Sequence, residues 1–231
     1  MGEHMTQDRY HILESFMLSC MEDSAHDKEH IYRVLHGALQ IAQDEMGVDY
    51  DVLIAACLLH DVGRKEQFKN PQLCHAEVGS EKAYRFLTEQ GFSQDFAEKV
   101  RHCILTHRFR KSRQPQTLEA KILFDADKLD VTGAIGIARS LIYKGTVEEP
   151  LYRLLPDGRI SDGERDSEPS FFREYKFKLE KLYDRFYTAK GREMAEKRRL
   201  AAVSFYENLY REVSDGYEKG SERLKDLLTD T

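Results

Sequence analysis

The chain has 231 residues, is 41% hydrophobic and 33% charged, and carries a formal net charge of −6. That length can bury a substantial core, and the balance of apolar and charged residues excludes a disordered or collagen-like chain. The negative charge provides no global attraction to nucleic acid or to an anionic membrane, so no stable nucleic-acid binding and no membrane partner are expected. No run resembles a signal peptide or a transmembrane span. The cysteines, Cys20, Cys57, Cys74 and Cys103, form no Cys-x-x-Cys pair and read as reduced thiols of a cytoplasmic protein.

Helical spacing runs through the chain. Tyr10–Met21 places Ile12, Leu13, Phe16, Met17 and Cys20 on one side. Ser24 or Asp27 caps a second helix from about Lys28 to Met46, with a stripe of Ile31, Val34, Leu35, Ala38 and Ile41, closed by Gly47. A central helix starts near Asp49 or Asp51 and runs to Gly63, where a left-handed glycine is expected to stop it. Lys65–Leu73 is polar and turns at Asn70-Pro71. His75–Gln90 is helical and closes at Gly91; Ser93 caps the next helix, whose face carries Phe96, Ala97, Val100, Cys103, Ile104 and His107. Arg108–Gln116 is a basic loop, and Thr117–Leu141 reads as one helix. Gly145–Pro169 collects proline, glycine and acidic residues and reads as an exposed loop or lid. Phe171–Tyr187 and Arg192–Tyr217 are helical again, rich in Tyr, Phe, Arg, Lys and Glu. The fold class is therefore all-α: a helical core over 1–144, a loop or lid over 145–169, and C-terminal helices over 170–231 packing on the core, or forming a homodimer surface.

The central helix organises the rest. Leu53–Leu59 is an unbroken apolar run, too short to cross a membrane, and reads as a helix buried on most sides. His60 and Asp61 follow directly and therefore lie deep in the protein. Burying an imidazole and a carboxylate is costly without a partner, and a divalent cation suits both. Side chains adjacent on one helix diverge by about 100°, so further ligands must come from other helices. His30 and Asp127 fit, although Asp125 and Asp130 rival Asp127 and periodicity does not choose among them. Two imidazoles and two carboxylates suit Mn²⁺, with Fe²⁺, Co²⁺ or Ni²⁺ as alternatives and Mg²⁺ less favoured.

His30-Ile-Tyr-Arg-Val, Ala55-Ala-Cys-Leu-Leu-His-Asp-Val-Gly-Arg, Ile104-Leu-Thr-His-Arg and Asp125-Ala-Asp-Lys-Leu-Asp together resemble the HD-domain metal-dependent phosphohydrolases. The resemblance runs from about His26 to Asp130 and implies an HD-domain helical bundle with a C-terminal helical extension. It maps the H…HD…D ligand pattern onto His30, His60, Asp61 and Asp127, and its Ala-Asp-Lys-Leu element selects Asp127. The start at Ser24 and the long tail resemble a bacterial subgroup of small nucleotide hydrolases. No Gly-Tyr-Pro follows the His-Asp helix, so the cyclic-dinucleotide branch is not supported.

The resemblance implies a hydrolase of nucleotides or phosphate esters. Asp61 would orient the attacking water besides ligating, and His75 or His107 would protonate the leaving oxygen or bind a second metal. Arg64, Lys65, Arg108 and Arg110 would hold phosphates, and His26 would orient the substrate. Release of pyrophosphate from a nucleoside triphosphate is the favoured reaction. A nucleoside monophosphatase, a phosphodiesterase and a non-catalytic nucleotide-binding regulatory module are the alternatives.

Overall fold

The segments with helical spacing form helices in the computed structural model, which describes residues 4–21, 28–108 and 113–229. They are α1 (Gln7–Met21), α2 (Lys28–Ala42), α3 (Tyr50–Leu59), α4 (Arg64–Lys69), α5 (His75–Glu89), α6 (Gln94–Thr106), α7 (Leu118–Leu129), α8 (Gly133–Thr146), α9 (Phe171–Phe177) and α10 (Ala189–Thr229). Among the described residues no strand forms, and an isolated antiparallel bridge joins Leu154 and Ile160. The protein is all-α. Ser24, His26, Asp27 and Arg110 lie outside the described residues.

Side-chain caps start the helices. Asp49 accepts from the Val52 N–H, Ser93 from Phe96 and Thr117 from Ala120, each at 3.2 Å. Gly47 and Gly91 take left-handed conformations beyond α2 and α5, with φ of 79° and 80°. Gly63 does not. It has φ −95°, and α3 already ends at Leu59, followed by a turn through His60–Gly63. Space is what demands glycine there: a Cβ at position 63 would meet the His75 carbonyl at 2.4 Å and the Gly79 nitrogen at 2.5 Å. The expected helix over Thr117–Leu141 is also two helices. α7 stops at Leu129, Gly133 adopts φ 61°, and α8 starts there.

Contacts divide the chain into two units. The first comprises Met1–Asp130 and Phe186–Arg192. In it α3 packs against α1, α2, α6 and α7, and Val52, Leu53 and Ala55–Leu59 are all buried. The second comprises Val131–Arg185 and Glu193–Thr231. Its core joins Ile137, Ile160, Phe171, Phe172, Tyr175, Leu179, Leu182, Ala202 and Tyr206. The tail's aromatics thus serve this second core, with Tyr175 and Tyr206 stacked at 4.1 Å. The stretch after α8 is irregular, as its composition implies, but it is tied down: Phe171 and Phe172 donate to the carbonyls of Pro150 and Leu151, and the Tyr206 hydroxyl donates to Asp162 O.

Asp125, one rival for the metal, has another task within the first unit. It is fully buried; Oδ1 accepts from Tyr187 N (2.9 Å), and Oδ2 accepts from Thr188 N (2.7 Å) and Thr188 Oγ1 (2.6 Å). Thr188 Oγ1 in turn accepts from Gly191 N at the start of α10. Asp125 therefore holds the returning 186–192 segment against α7. Asp125→Ala should cost about 3 kcal/mol, because several buried donors lose their acceptor. Thermal denaturation should show a fall of roughly 6–12 °C, with metal content retained.

Candidate metal centre

α3 is apolar along nearly its whole length, so its C-terminal end arrives inside the first unit. His60 there is fully buried and Asp61 is 5% exposed. His30 comes from α2, His75 is the first residue of α5, His107 caps the C-terminus of α6, and Asp127 lies in the last turn of α7.

Each of the four imidazoles commits its Nδ1. His60 Nδ1 donates to the Cys57 carbonyl (2.8 Å) and His107 Nδ1 to the Ile104 carbonyl (2.6 Å). His75 Nδ1 donates to Gln67 Oε1 (2.6 Å) and His30 Nδ1 to Asp130 Oδ2 (2.7 Å). The Gln67 amide nitrogen donates to Leu73 O (3.0 Å), which fixes its oxygen toward His75. Carbonyl oxygens only accept, so in His60, His75 and His107 the proton sits on Nδ1 and the lone pair on Nε2. The four Nε2 atoms face inward: His30 and His60 lie 3.3 Å apart, and so do His75 and His107.

Burial lowers the pKa of His60, takes that of His75 down to about 2 and that of His107 down to about 4. These rings are neutral at pH 7. Lone pairs opposed at such distances repel; a cation between them turns repulsion into ligation. Spacing agrees, since ligands at about 2.1 Å from one ion lie about 3 Å apart when adjacent.

The carboxylates complete the arrangement. Asp127 Oδ1 lies 3.3 Å from His30 Nε2. Asp61 divides its oxygens: Oδ2 faces His30 (3.6 Å) and His60 (3.7 Å), while Oδ1 faces His75 (3.4 Å) and His107 (3.8 Å). The result is two candidate sets, His30/His60/Asp127 and Asp61/His75/His107, the ligand atoms of each within 4.8 Å of one another. Burial pushes both carboxyls up, but the hydrogen bond of His30 to Asp127 and the Arg64 guanidinium beside Asp61 work against it, and both lie below the usual carboxylate range and stay ionised. Asp127 is the one partly exposed member, at 22% of its side chain, and marks the open side.

The structure thus gathers His30, His60, Asp61, Asp127, His75 and His107 into one cluster. Arg64 joins it, its Nε donating to Asp61 Oδ1 at 2.9 Å. Lys65 lies in the first turn of α4 and is half-buried. Arg108 approaches from beside His75, its Nη1 3.8 Å from Cys74 Sγ. Arg113, at the far end of the basic loop, pairs with Glu77 on the surface. Two contributors escaped sequence reasoning. Gln67 carries no sequence signal. Asp130, weighed as a ligand, instead grips the outer nitrogen of His30 and is itself held by Arg33 Nε at 2.6 Å.

The HD-domain model matches residues 28–132, which contain every member of this cluster. YpgQ of Bacillus subtilis (strain 168) is 30% identical over 196 residues, covering 83% of this chain and 86% of YpgQ. The chain belongs to the HD-domain family. The crystal structure of YpgQ in complex with ADP superposes on this HD protein with a TM-score of 0.69 at 27% identity, covering 88% of this chain and 97% of that one. An HD-superfamily hydrolase from Bacillus thuringiensis superposes with a TM-score of 0.68 at 28% identity, covering 89% and 97%. No helix among the described residues is long and apolar enough to cross a membrane.

The depressed histidine values have a consequence for stability. In the unfolded chain these rings protonate below about pH 6.5; in the folded chain His75 and His107 resist protonation down to about 2 and about 4. The unfolded state therefore binds more protons between those limits, and stability falls as pH drops below 6.5. Chelator-treated protein should keep a constant melting temperature above pH 7 and lose stability steadily from pH 6.5 toward pH 5. A flat profile there would show that the rings are not held neutral.

Proposed function

We propose that this HD protein is a metal-dependent phosphohydrolase that cleaves nucleoside triphosphates to a monophosphate and pyrophosphate. One observation carries the reading: two adjoining ligand sets are both faced by the Asp61 carboxylate, and Arg64 and Arg108 stand beside them. His30, His60, Asp61 and Asp127 hold one divalent ion, with Mn²⁺ best suited to their mixed nitrogen and oxygen donors. Of the two roles the resemblance leaves to His75 and His107, proton donor or ligand of a second metal, the ligand role fits better. Their Nε2 atoms carry lone pairs, and their protons are engaged at Gln67 and Ile104. With Asp61 between the sets, they provide a second ion's ligands.

When bound, a divalent ion lowers the pKa of its water and polarises a phosphoryl oxygen. Asp61 orients that water toward phosphorus. Arg64, Lys65 and Arg108 hold the remaining phosphates. The ADP complex of YpgQ supports a nucleotide as the substrate class. The four free cysteines support a cytoplasmic place of action. A second reading, a nucleoside monophosphatase or phosphodiesterase, is favoured by one fact: Arg113 is spent on Glu77, so fewer cations serve a triphosphate.

Two measurements test this. Elemental analysis of Mn²⁺-loaded protein should show loss of metal in His60→Ala and in Asp127→Ala, and partial loss in His75→Ala. Asp130→Asn, which weakens the grip on His30, should lower metal affinity about 10–100-fold. Full occupancy in all four variants would overturn the ligand assignment. Chromatography of a nucleotide screen with Mn²⁺ should identify pyrophosphate among the products. Arg64→Ala with Arg108→Ala should raise KM for a triphosphate about tenfold or more, and far less for a small aryl phosphate. Release of inorganic phosphate from monophosphates alone would favour the second reading.

A further inference from the structure

One ring on α4 has no place in the packing. The helix is six residues long and none of its residues is buried. Three of them have partners within the first unit: Arg64 donates to Asp61, Gln67 accepts from His75, and Glu66 accepts from Lys82 on α5. Phe68 has none. It is 73% exposed, more than any other Phe or Tyr among the described residues. Among those residues no ring stacks on it and no cation stands over it. A single exposed apolar side chain is ordinary, so what distinguishes Phe68 is where it stands.

The helical repeat gives its direction. Arg64 and Gln67 point at Asp61 and His75, so the flank of α4 that carries them borders the ligand sets. Glu66 turns the opposite flank to α5. At 3.6 residues per turn Phe68 projects about 40° from Arg64, and Lys65 about 100° from it on the same side. The ring therefore stands between the two cations, at the edge of the flank that borders the site. It lies about 6 Å beyond Arg64 along the axis, one turn farther from the carboxylate that Arg64 holds.

That order matches the order of parts in a nucleotide. Its base is joined to its phosphates by a single sugar, so a surface for the base must lie outside the ligand sets and within one sugar's length of the cations. Phe68 meets both conditions. An aromatic ring is also the right chemistry, since every base has a π-face and stacking asks for no particular hydrogen-bond pattern. A ring placed there would separate nucleotides from inorganic polyphosphates and would accept purine and pyrimidine alike.

We propose that Phe68 is the platform on which the base of a nucleotide substrate stacks, a role that rests on the nucleotide reading above. The chain contains no tryptophan, so Phe68→Trp places a single indole at this position. In the Mn²⁺-loaded full chain, ADP should quench that indole saturably, and inorganic pyrophosphate should not. By titration calorimetry Phe68→Ala should bind ADP about tenfold more weakly than the parent and pyrophosphate equally well, and Phe68→Tyr should restore the affinity for ADP. All three variants should keep the parent's circular dichroism and melting temperature, because the side chain is exposed. Binding of ADP without quenching, or equal affinity of Phe68→Ala and the parent for ADP, would overturn the platform and leave the nucleotide reading standing. A parent protein that binds pyrophosphate but no ADP would overturn the nucleotide reading and the platform with it.

Discussion

Four imidazoles can be buried together here because each has an acceptor for a proton on its outer nitrogen. The acceptors come from the helices themselves. The last carbonyls of a helix lack intrahelical partners. α3 and α6 each end just before a histidine, and that histidine turns back onto the carbonyl three residues earlier: His60 onto Cys57, His107 onto Ile104. One bond thereby satisfies a helix end, selects a tautomer and aims a lone pair at the centre. His30 and His75 have no such carbonyl, and Asp130 and Gln67 take its place. An unpaired buried N–H costs about 1–3 kcal/mol, so the inward orientation of all four rings is held by their outer nitrogens.

Asp61 joins the two halves, and its placement depends on the turn that follows it. Gly63 lies against the His75 carbonyl and the backbone of Gly79, too close for any side chain. That approach brings the first residue of α5 to the turn after α3, so His75 reaches Asp61 Oδ1 while Oδ2 stays with His30 and His60. Lys82 braces the same turn, its Nζ donating to Val62 O and Glu66 Oε1. A carboxylate one methylene longer would have to fold back within a space that Arg64 already borders.

Much of this was legible in the sequence, and the exceptions share a cause. The helical class followed from periodicity, and the burial of His60 and Asp61 followed from the apolar run before them. The meeting of His30 with Asp127 needed the family pattern, because sequence spacing says nothing about which helices meet. The same limit hid the roles of the three acids in Asp125-Ala-Asp-Lys-Leu-Asp. Asp127 faces the imidazoles, Asp130 braces one of them, and Asp125 faces away to hold residues 187 and 188. A helical repeat sets their relative directions but not what lies in each. The turn at Gly63 was misjudged for a related reason. A glycine required by a neighbouring backbone looks, in sequence, the same as one required by its own φ.

Charge counting at the site gives the order in which its partners bind on the proposed reading. Asp61, Asp127 and Asp130 are negative, Arg33 and Arg64 pair with two of them, and buried His60, His75 and His107 are neutral. Around the ligand atoms themselves three carboxylates face two guanidiniums, with Lys65 and Arg108 farther out. Without a cation a polyphosphate would meet those carboxylates first. A single divalent cation reverses the sign, and in a buried pocket that reversal is weakly screened. Arg64 can then turn from Asp61 to a phosphate, because the cation takes over the neutralisation of Asp61. On the proposed reading metal and nucleotide affinity would be coupled through that one carboxylate, and the cation would complete the phosphate site as well as activate the water.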